Sequence, residues 1–218
     1  MGHMRTRSRT YAGRSAEQRT AQRRRRLVDA AMEIWGDQGW AAVTMRGVCA
    51  RAGLIDRYFY ESFADREALL AAVWDQVFDE TMALLLEAIA DKLDQHPIDQ
   101  LRAAIAAFVH DVAGDPRRAQ IAFGEHAGSP MLEQRRRQAL QQATDLLVRT
   151  GRPYLEPGVD EDALRMTTLI GIGGFVELVT AWHAGVVDTD AERLIEHATE
   201  VGTALAARYL RTDLTAGR

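Results

Sequence analysis

The chain has 218 residues, of which 47 % are hydrophobic and 27 % are charged, a composition typical of soluble globular proteins. Its length allows one large helical domain, or a small domain joined to a medium-sized one. The single cysteine, Cys49, excludes an intrachain disulfide, and no run approaches the ~18 apolar residues of a membrane span. We therefore expect a cytoplasmic protein.

The net charge of −4 conceals an uneven distribution along the chain. Residues 1–66 contain 13 Arg and 7 acidic residues, a charge of +6, whereas the remainder has a charge of −10. A basic N-terminal part on an acidic body favours a polyanionic partner at one end of the molecule. A soluble enzyme with an evenly acidic surface would not need such a difference in charge between its two parts.

The first eighteen residues are expected to lack regular structure. Residues 1–3 resemble an expression-vector remnant, so the native start is expected at Met4. Residues 5–18 are polar and Arg-rich without helical periodicity, which predicts a disordered arm. The arm could serve only for solubility, or it could follow the DNA backbone or enter the minor groove.

Three helices are predicted within residues 19–65. The apolar stripe of Leu27, Ala30, Ala31, Ile34 and Trp35 predicts a helix from about residue 19 to residue 38. Thr44 is a suitable N-cap for a second helix, and Gly53 allows the sharp turn before a short third helix at about residues 55–61. This arrangement is typical of a helix-turn-helix DNA reader.

The rest of the chain also has helical patterns. A long fourth helix is predicted from about residue 66 to residue 93, and five further helices at residues 98–112, 116–126, 130–150, 162–184 and 189–210. No alternating strand pattern occurs. The predicted fold is all-α, with a three-helix head followed by a C-terminal bundle of about six helices in residues 66–212.

One stretch of the sequence resembles a known family. The residues are Trp35-Gly36-Asp37-Gln38-Gly39-Trp40, Thr44, Ala52-Gly53, Tyr60, Phe63 and Asp65-Arg66-Glu67-Ala68-Leu69. Together they resemble the N-terminal signature of TetR-family transcriptional regulators. The resemblance implies a homodimer that binds a palindromic operator. It also implies repression relieved by a small-molecule effector in the C-terminal bundle.

The resemblance and the residue types together give candidate DNA contacts. By resemblance, Thr44 and Tyr60 would bond phosphates, Arg66 would lie near the backbone, and Arg46 would approach the groove. The residue types make Arg57 the best candidate for reading a guanine. The remaining candidates in this set are Asp56 and Tyr58.

Three features of this region leave alternatives open. Asp56 could accept from a cytosine or orient Arg57, but capping of the third helix is slightly favoured. Glu61 would repel phosphate unless Arg57 or Arg66 pairs with it. The run Arg23–Arg26 is a solvated face or, as we favour, supplies one or two phosphate contacts.

The C-terminal half is expected to hold the effector. Candidate ligand contacts are large apolar side chains with two polar ones, although such residues more often simply fill a core: Phe78, Met82, Phe108, Phe123, His126, Met166, Phe175 and Glu177. The basic runs at residues 117–118 and 135–137 are expected to be solvated.

A glycine-containing stretch, residues 169–175, lacks the features of a phosphate loop. By resemblance, the last two helices form the dimer interface, through residues that include Val176, Val179, Thr180, Ala198, Val201 and Leu205.

No catalytic set, metal-ligand pattern or cofactor motif emerges from the sequence, so an enzyme is not predicted. Two alternatives remain besides an effector-responsive repressor. One is an effector-independent DNA-binding or architectural protein, or an activator of the same fold. The other is an enzyme that has retained only the fold.

Overall fold

The computed structural model describes residues 16–124 and 128–215, and within these ranges it contains α-helices, two short 3-10 turns and no strand. The predicted all-α architecture is confirmed. The helices are α1 (Ala16–Gln38), α2 (Met45–Ala52), α3 (Asp56–Ser62), α4 (Arg66–Ala90), α5 (Pro97–Gly114), α6 (Pro116–Phe123), α7 (Pro130–Gly151), α8 (Glu161–His183), α9 (Ala191–Ala206) and α10 (Thr212–Thr215).

Several boundaries differ from those predicted. Helix α1 begins at Ala16, so residues 16–18 are helical and do not belong to a disordered arm. Residues 1–15, where the rest of the expected arm falls, lie outside the described residues. Helices α4 and α9 end at Ala90 and Ala206, several residues before the expected ends, because the chain there turns into short irregular connections.

Local capping defines the helix-turn-helix. The Thr44 hydroxyl oxygen accepts a hydrogen bond from the Gly47 amide at 3.1 Å, which starts α2. Gly53 ends α2 with φ 62° in the left-handed region, where a side chain would be strained. The Asp65 carboxylate accepts from the Ala68 amide at 2.8 Å and starts α4.

The head and the body share one hydrophobic core. Trp35 of α1, Val48 of α2 and Phe59 of α3 are almost completely buried and pack in the same cluster as Leu70 of α4. The cluster also includes Ile121 of α6. Because the core is continuous, we expect a displacement of α4 or α6 to shift the packing of the head.

Helices α1 and α6 approach closely enough to require a glycine. A Cβ placed on Gly36 of α1 would lie 2.4 Å from the Arg117 Cβ of α6. The Arg117 Nε also donates to the Asp37 carboxylate at 2.6 Å. The start of α6 is therefore held directly against the end of α1.

Helix α8 is strongly apolar, yet little of it is buried within the protomer. Among the described residues it is the one helix long and apolar enough to cross a membrane, by length and composition alone, and 11 % of its most apolar window is buried. Met166, Leu169 and Ile170 expose 60 %, 42 % and 69 % of their surfaces. Such a contiguous exposed apolar face is typical of a surface that another protein covers.

Candidate DNA-binding surface and ligand-binding cavity

The helix-turn-helix exposes five of the predicted DNA contacts. Thr44, Arg46, Asp56, Arg57 and Tyr60 are all exposed on or beside α2 and α3. The Thr44 hydroxyl uses its oxygen as an acceptor within the protein, so its O–H remains available as a donor. These side chains offer the hydroxyl and guanidinium donors that phosphates and guanine edges accept.

Glu61 of α3 bridges Arg57 on the same helix and Arg23 on α1. The Arg57 Nε donates to the Glu61 carboxylate at 2.8 Å, and an Arg23 terminal nitrogen lies 3.6 Å from its other oxygen. Of the two pairings that would offset repulsion between Glu61 and phosphate, the one with Arg57 is present. The Arg23 guanidinium also lies over the Tyr58 ring, at 4.5 Å, and half-buries this predicted DNA contact.

The arginine run on α1 makes several contacts inside the head, and phosphate contact by one or two of its members stays a prediction. Arg24 donates to the Ser62 carbonyl at 3.0 Å and stacks on Phe63, and Arg26 donates to the Ala52 carbonyl. These carbonyls end α3 and α2, where backbone acceptors lack helical partners. In the part of the chain that the structure describes, Arg25 has no recorded contact and is exposed.

Arg66 also has a structural position. Its guanidinium donates to the Val43 and Trp40 carbonyls, both at 2.5 Å, and lies 5.2 Å from the Trp40 ring. These bonds fix the connection between α1 and α2. These bonds use two of the five N–H donors of the half-buried side chain, and the expected position beside the DNA backbone stays a prediction.

Asp56 does not cap α3, which corrects the preferred interpretation of that residue. Ile55 is the N-cap residue, without a side-chain hydrogen bond, and Asp56 lies in the first turn. There its charge is favourable because of the helix dipole.

Burial, followed by the charge and hydrogen bonding of Asp56, raises the pKa of the Cys49 thiol. Cys49 is thus a buried neutral core residue.

A cavity of about 240 Å³ lies between α4, α5, α6, α7 and α8. Its walls are almost entirely apolar. Phe108 lies at the centre of an aromatic group, with ring centroids 5.7 Å from Phe123 and 5.3 Å from Phe175. An apolar cavity with a few polar groups is the usual form of a small-molecule site.

Five predicted ligand contacts line this cavity: Phe78, Met82, Phe108, Phe123 and Phe175. Two others do not. Met166 and Glu177 are exposed, because they occur on the outer face of α8. His126 lies outside the described residues.

The cavity wall includes five residues with polar side chains: Thr81, Asp111, Arg118, Arg136 and Thr150. Arg118 is only 17 % exposed, and it pairs with Glu80 and with Asp111, the latter at 3.5 Å. Its Nε is buried and has no hydrogen-bond partner. Arg118 and Arg136 were expected on solvated faces, so their presence in the wall is a feature that the sequence pattern did not reveal.

Helix α6 connects this cavity to the head. Ala119, Ala122 and Phe123 line the cavity together with Arg118. The preceding residue, Arg117, makes the close contact with α1 described above. A rigid shift of this eight-residue helix would therefore act on both places.

The predicted dimer residues have different positions. Val179 is fully buried in the core of the protomer, which leaves it no surface for a partner, whereas Ala198 is 8 % exposed at the edge of the same cluster. Val176 lines the cavity, and Leu205 lies near Gly171, within the α8–α9 contact. Thr180 is half-buried and donates to the Val176 carbonyl at 2.8 Å.

Val201, by contrast, is 46 % exposed. The exposed apolar face of α8, formed by Met166, Leu169, Ile170 and Gly174, was not predicted as an interface. A sequence pattern gives the apolar faces of such a helix, but not which face the protomer itself covers.

Residues 27–73 match the sequence profile described as "Bacterial regulatory proteins, tetR family". The chain is 26 % identical over 125 residues to the HTH-type transcriptional activator FasR of Mycolicibacterium smegmatis. That alignment covers 57 % of this chain and 56 % of FasR, so the chain matches little more than half the length of this relative.

Two solved structures have the same fold. FadR of Bacillus subtilis, in complex with stearoyl-CoA, is 20 % identical with a TM-score of 0.66, over 81 % of this chain and 96 % of FadR. SmeT of Stenotrophomonas maltophilia, the repressor of the multidrug efflux pump SmeDEF, is 21 % identical with a TM-score of 0.65. The superposition covers 88 % of this chain and 92 % of SmeT.

Proposed function

We propose that this chain, which belongs to the TetR family of DNA-binding transcriptional regulators, is a cytoplasmic homodimeric repressor released from a palindromic operator by an apolar effector. The proposal that an effector controls DNA binding is supported by α6, which lines the cavity and also contacts α1. An effector that favours a different position of α6 weakens DNA binding by its differential affinity for the two states.

Operator binding would use α3 as the recognition helix. Arg57 is the candidate for a bidentate contact with guanine, and Thr44, Arg46 and Tyr60 are candidates for phosphate or groove contacts. In a symmetric dimer, two such helices enter successive major grooves about 34–36 Å apart. A palindromic operator follows from that symmetry.

The homodimer is proposed from the exposed face of α8. Met166, Leu169, Ile170 and Val201 are large exposed apolar residues on the last two long helices, and a second copy of the chain would cover them. A permanent interface of this kind buries on the order of 2,000 Å² or more. The small Gly174 on the same face would let the helices approach closely.

The effector is proposed to be elongated and apolar. Cavity residues on α4 extend from Trp74 to Ile89, fifteen positions along the helix, which corresponds to about 22 Å. Stearoyl-CoA, present in the B. subtilis FadR structure, includes a long acyl chain of that general shape. The same cavity could serve an activator, since the relative FasR is an activator. The position of the operator relative to the promoter would then decide whether DNA binding activates or represses transcription.

Selection of bound duplexes from a random DNA pool tests this function. The wild-type protein should enrich an inverted repeat. The Arg57→Ala variant should lose preference at one symmetric position, at a cost of about 1–3 kcal/mol in operator binding. Arg137→Ala on α7, an exposed arginine away from the head, is the control. Unchanged selection by Arg57→Ala would contradict the assignment of α3, and enrichment of no sequence would contradict the function.

A further inference from the structure

We propose that the cavity takes a long-chain amphiphile with an anionic head group, whose head lies at Arg136 and whose tail extends along α4 towards Ile89. This inference rests on the proposed effector cavity and adds the chemistry and the direction of its ligand. It follows from the alignment of two helices and from the charges that line the wall.

Helices α4 and α7 run side by side in the same direction along the cavity. The Asp75 carboxylate of α4 accepts from Arg135 of α7 at 2.6 Å, which fixes their alignment. Ile89 of α4, fourteen residues after Asp75, lines the cavity. Thr150 of α7, fifteen residues after Arg135, lines it as well. The cavity therefore has one end near the three-helix domain, which we call the head-proximal end, and a distal end about 21 Å away.

The cations gather at the head-proximal end. Arg136 directly follows Arg135, and Arg118 bonds to Glu80 and Thr81, within two helical turns of Asp75. At the distal end the wall is formed mostly by leucine and isoleucine. Thr150 is the polar residue there, and its hydroxyl already donates to the Leu146 carbonyl at 3.1 Å.

Arg136 is the cation that remains available to a ligand. Arg135 pairs with Asp75, and Arg137 lies 3.9 Å from Glu133. Arg136 is exposed, lines the cavity, and has no recorded partner within residues 16–124 and 128–215. An exposed guanidinium at the rim of an apolar cavity is suited to a carboxylate or phosphate, because it can donate two parallel hydrogen bonds.

The second cation in the wall is largely neutralised. Asp111 is the acidic residue that lines the cavity, and it pairs with Arg118, which is also paired with Glu80. Within the described residues, Arg136 is therefore the cation of the lining that has no acidic partner. The buried Nε of Arg118, which has no partner, is an additional donor at the same end.

Two sources provide this chemistry: the carboxylate of a free fatty acid, and the phosphates of an acyl thioester. Hexadecanoate and hexadecanoyl-CoA represent these sources. Hexadecan-1-ol has the same tail without charge, and hexadecylamine has the opposite charge. Binding to the full-length protein is measured below the micellar concentration by the change in tryptophan fluorescence, since Trp74, one of the four tryptophans, lines the cavity.

The matched variants are Arg136→Gln and Arg137→Gln, adjacent residues that differ in facing the cavity. Wild type should bind at least one anion about tenfold or more tightly than hexadecan-1-ol, the range for a hydrogen bond to a charged group. Arg136→Gln should abolish that preference while leaving the affinity for hexadecan-1-ol unchanged. Arg137→Gln should behave as wild type. The tighter of the two anions identifies the source.

Equal binding of anions and alcohol by wild type, tighter binding of hexadecylamine, or an Arg136→Gln variant that retains the preference would overturn the inference. Each of these results would leave an apolar effector in place. If none of the four probes binds while operator binding is intact, both the inference and the proposed elongated effector fail, and the DNA-binding function stands.

Discussion

The contact between α1 and α6 can be tested by adding a single methyl group. In Gly36→Ala the new Cβ would lie 2.4 Å from the Arg117 Cβ and 2.9 Å from the Arg117 Cα. Favourable carbon–carbon contacts are about 3.5–4.0 Å. Because one of the obstructing atoms belongs to the backbone, a side-chain rotation cannot relieve the overlap, and the helices must separate by about 1 Å.

The energetic cost follows from three contributions. Overpacking of this kind costs about 1–3 kcal/mol. Loss of the exposed Arg117–Asp37 pair adds less than about 1 kcal/mol, and the better helix propensity of alanine returns up to about 1 kcal/mol. We expect a net destabilisation of about 1–2 kcal/mol. For a chain of this size that lowers Tm by roughly 2–8 °C.

The matched control is Gly114→Ala at the end of α5, where a Cβ would meet no atom within 4 Å. This variant should keep or slightly raise Tm. Operator affinity is then measured with and without effector by fluorescence anisotropy, and the effector-induced change should be smaller in Gly36→Ala than in the control. If the two variants share the same Tm and the same effector response, α6 does not couple the cavity to α1.

Three further outcomes are expected. Glu61→Gln should free Arg57 and Arg23 for phosphate, so the slope of log affinity against log salt steepens by about 0.9 for each added contact, and an unchanged slope would argue against the Glu61 bridge. Ile170→Glu should sediment as a folded monomer at micromolar concentration because a charge enters the exposed face of α8, whereas a persistent dimer would place the interface elsewhere. Cys49 should react slowly with a thiol reagent at pH 8 in the native protein and rapidly in urea, because burial raises its pKa and disfavours the thiolate; equal rates would show that the thiol is accessible.

Much of the fold could be predicted because helix periodicity and caps are local. The apolar stripe from Leu27 to Trp35 placed α1, and Thr44 and Gly53 placed the ends of α2, since each signal depends on residues within a few positions. The start of α3 was one residue off. Asp56 is a favourable cap by residue type, but Ile55 occupies the cap position.

The roles of the arginines could not be predicted in the same way. Arg24, Arg26 and Arg66 look equally suited to phosphate and to backbone carbonyls, because a guanidinium donates to both. Which partner each one finds depends on carbonyls far away in sequence, such as those of Ser62 and Trp40. Residue type and local spacing do not contain that information.

The orientation of α8 was the largest gap. The helix is apolar on more than one face, so Val179 and Ile170 are indistinguishable by hydropathy. Packing against α5 and α9 buries Val179 and leaves Ile170 exposed. The same rotation explains why Phe175 lines the cavity while Met166 does not.

The internal use of Arg24 and Arg26 has a consequence for how the protein finds its site in a chromosome. Non-specific attachment to duplex DNA is driven by counterions that free cations release from phosphates. Arg24 and Arg26 keep their charge and are exposed, but each uses an N–H donor on a carbonyl of the head, so phosphate contacts by these arginines compete with internal bonds. The protein should therefore dwell only briefly on unrelated sequence, leaving a larger fraction of the molecules free to sample new positions among the ~10⁶–10⁹ competing sites of a genome.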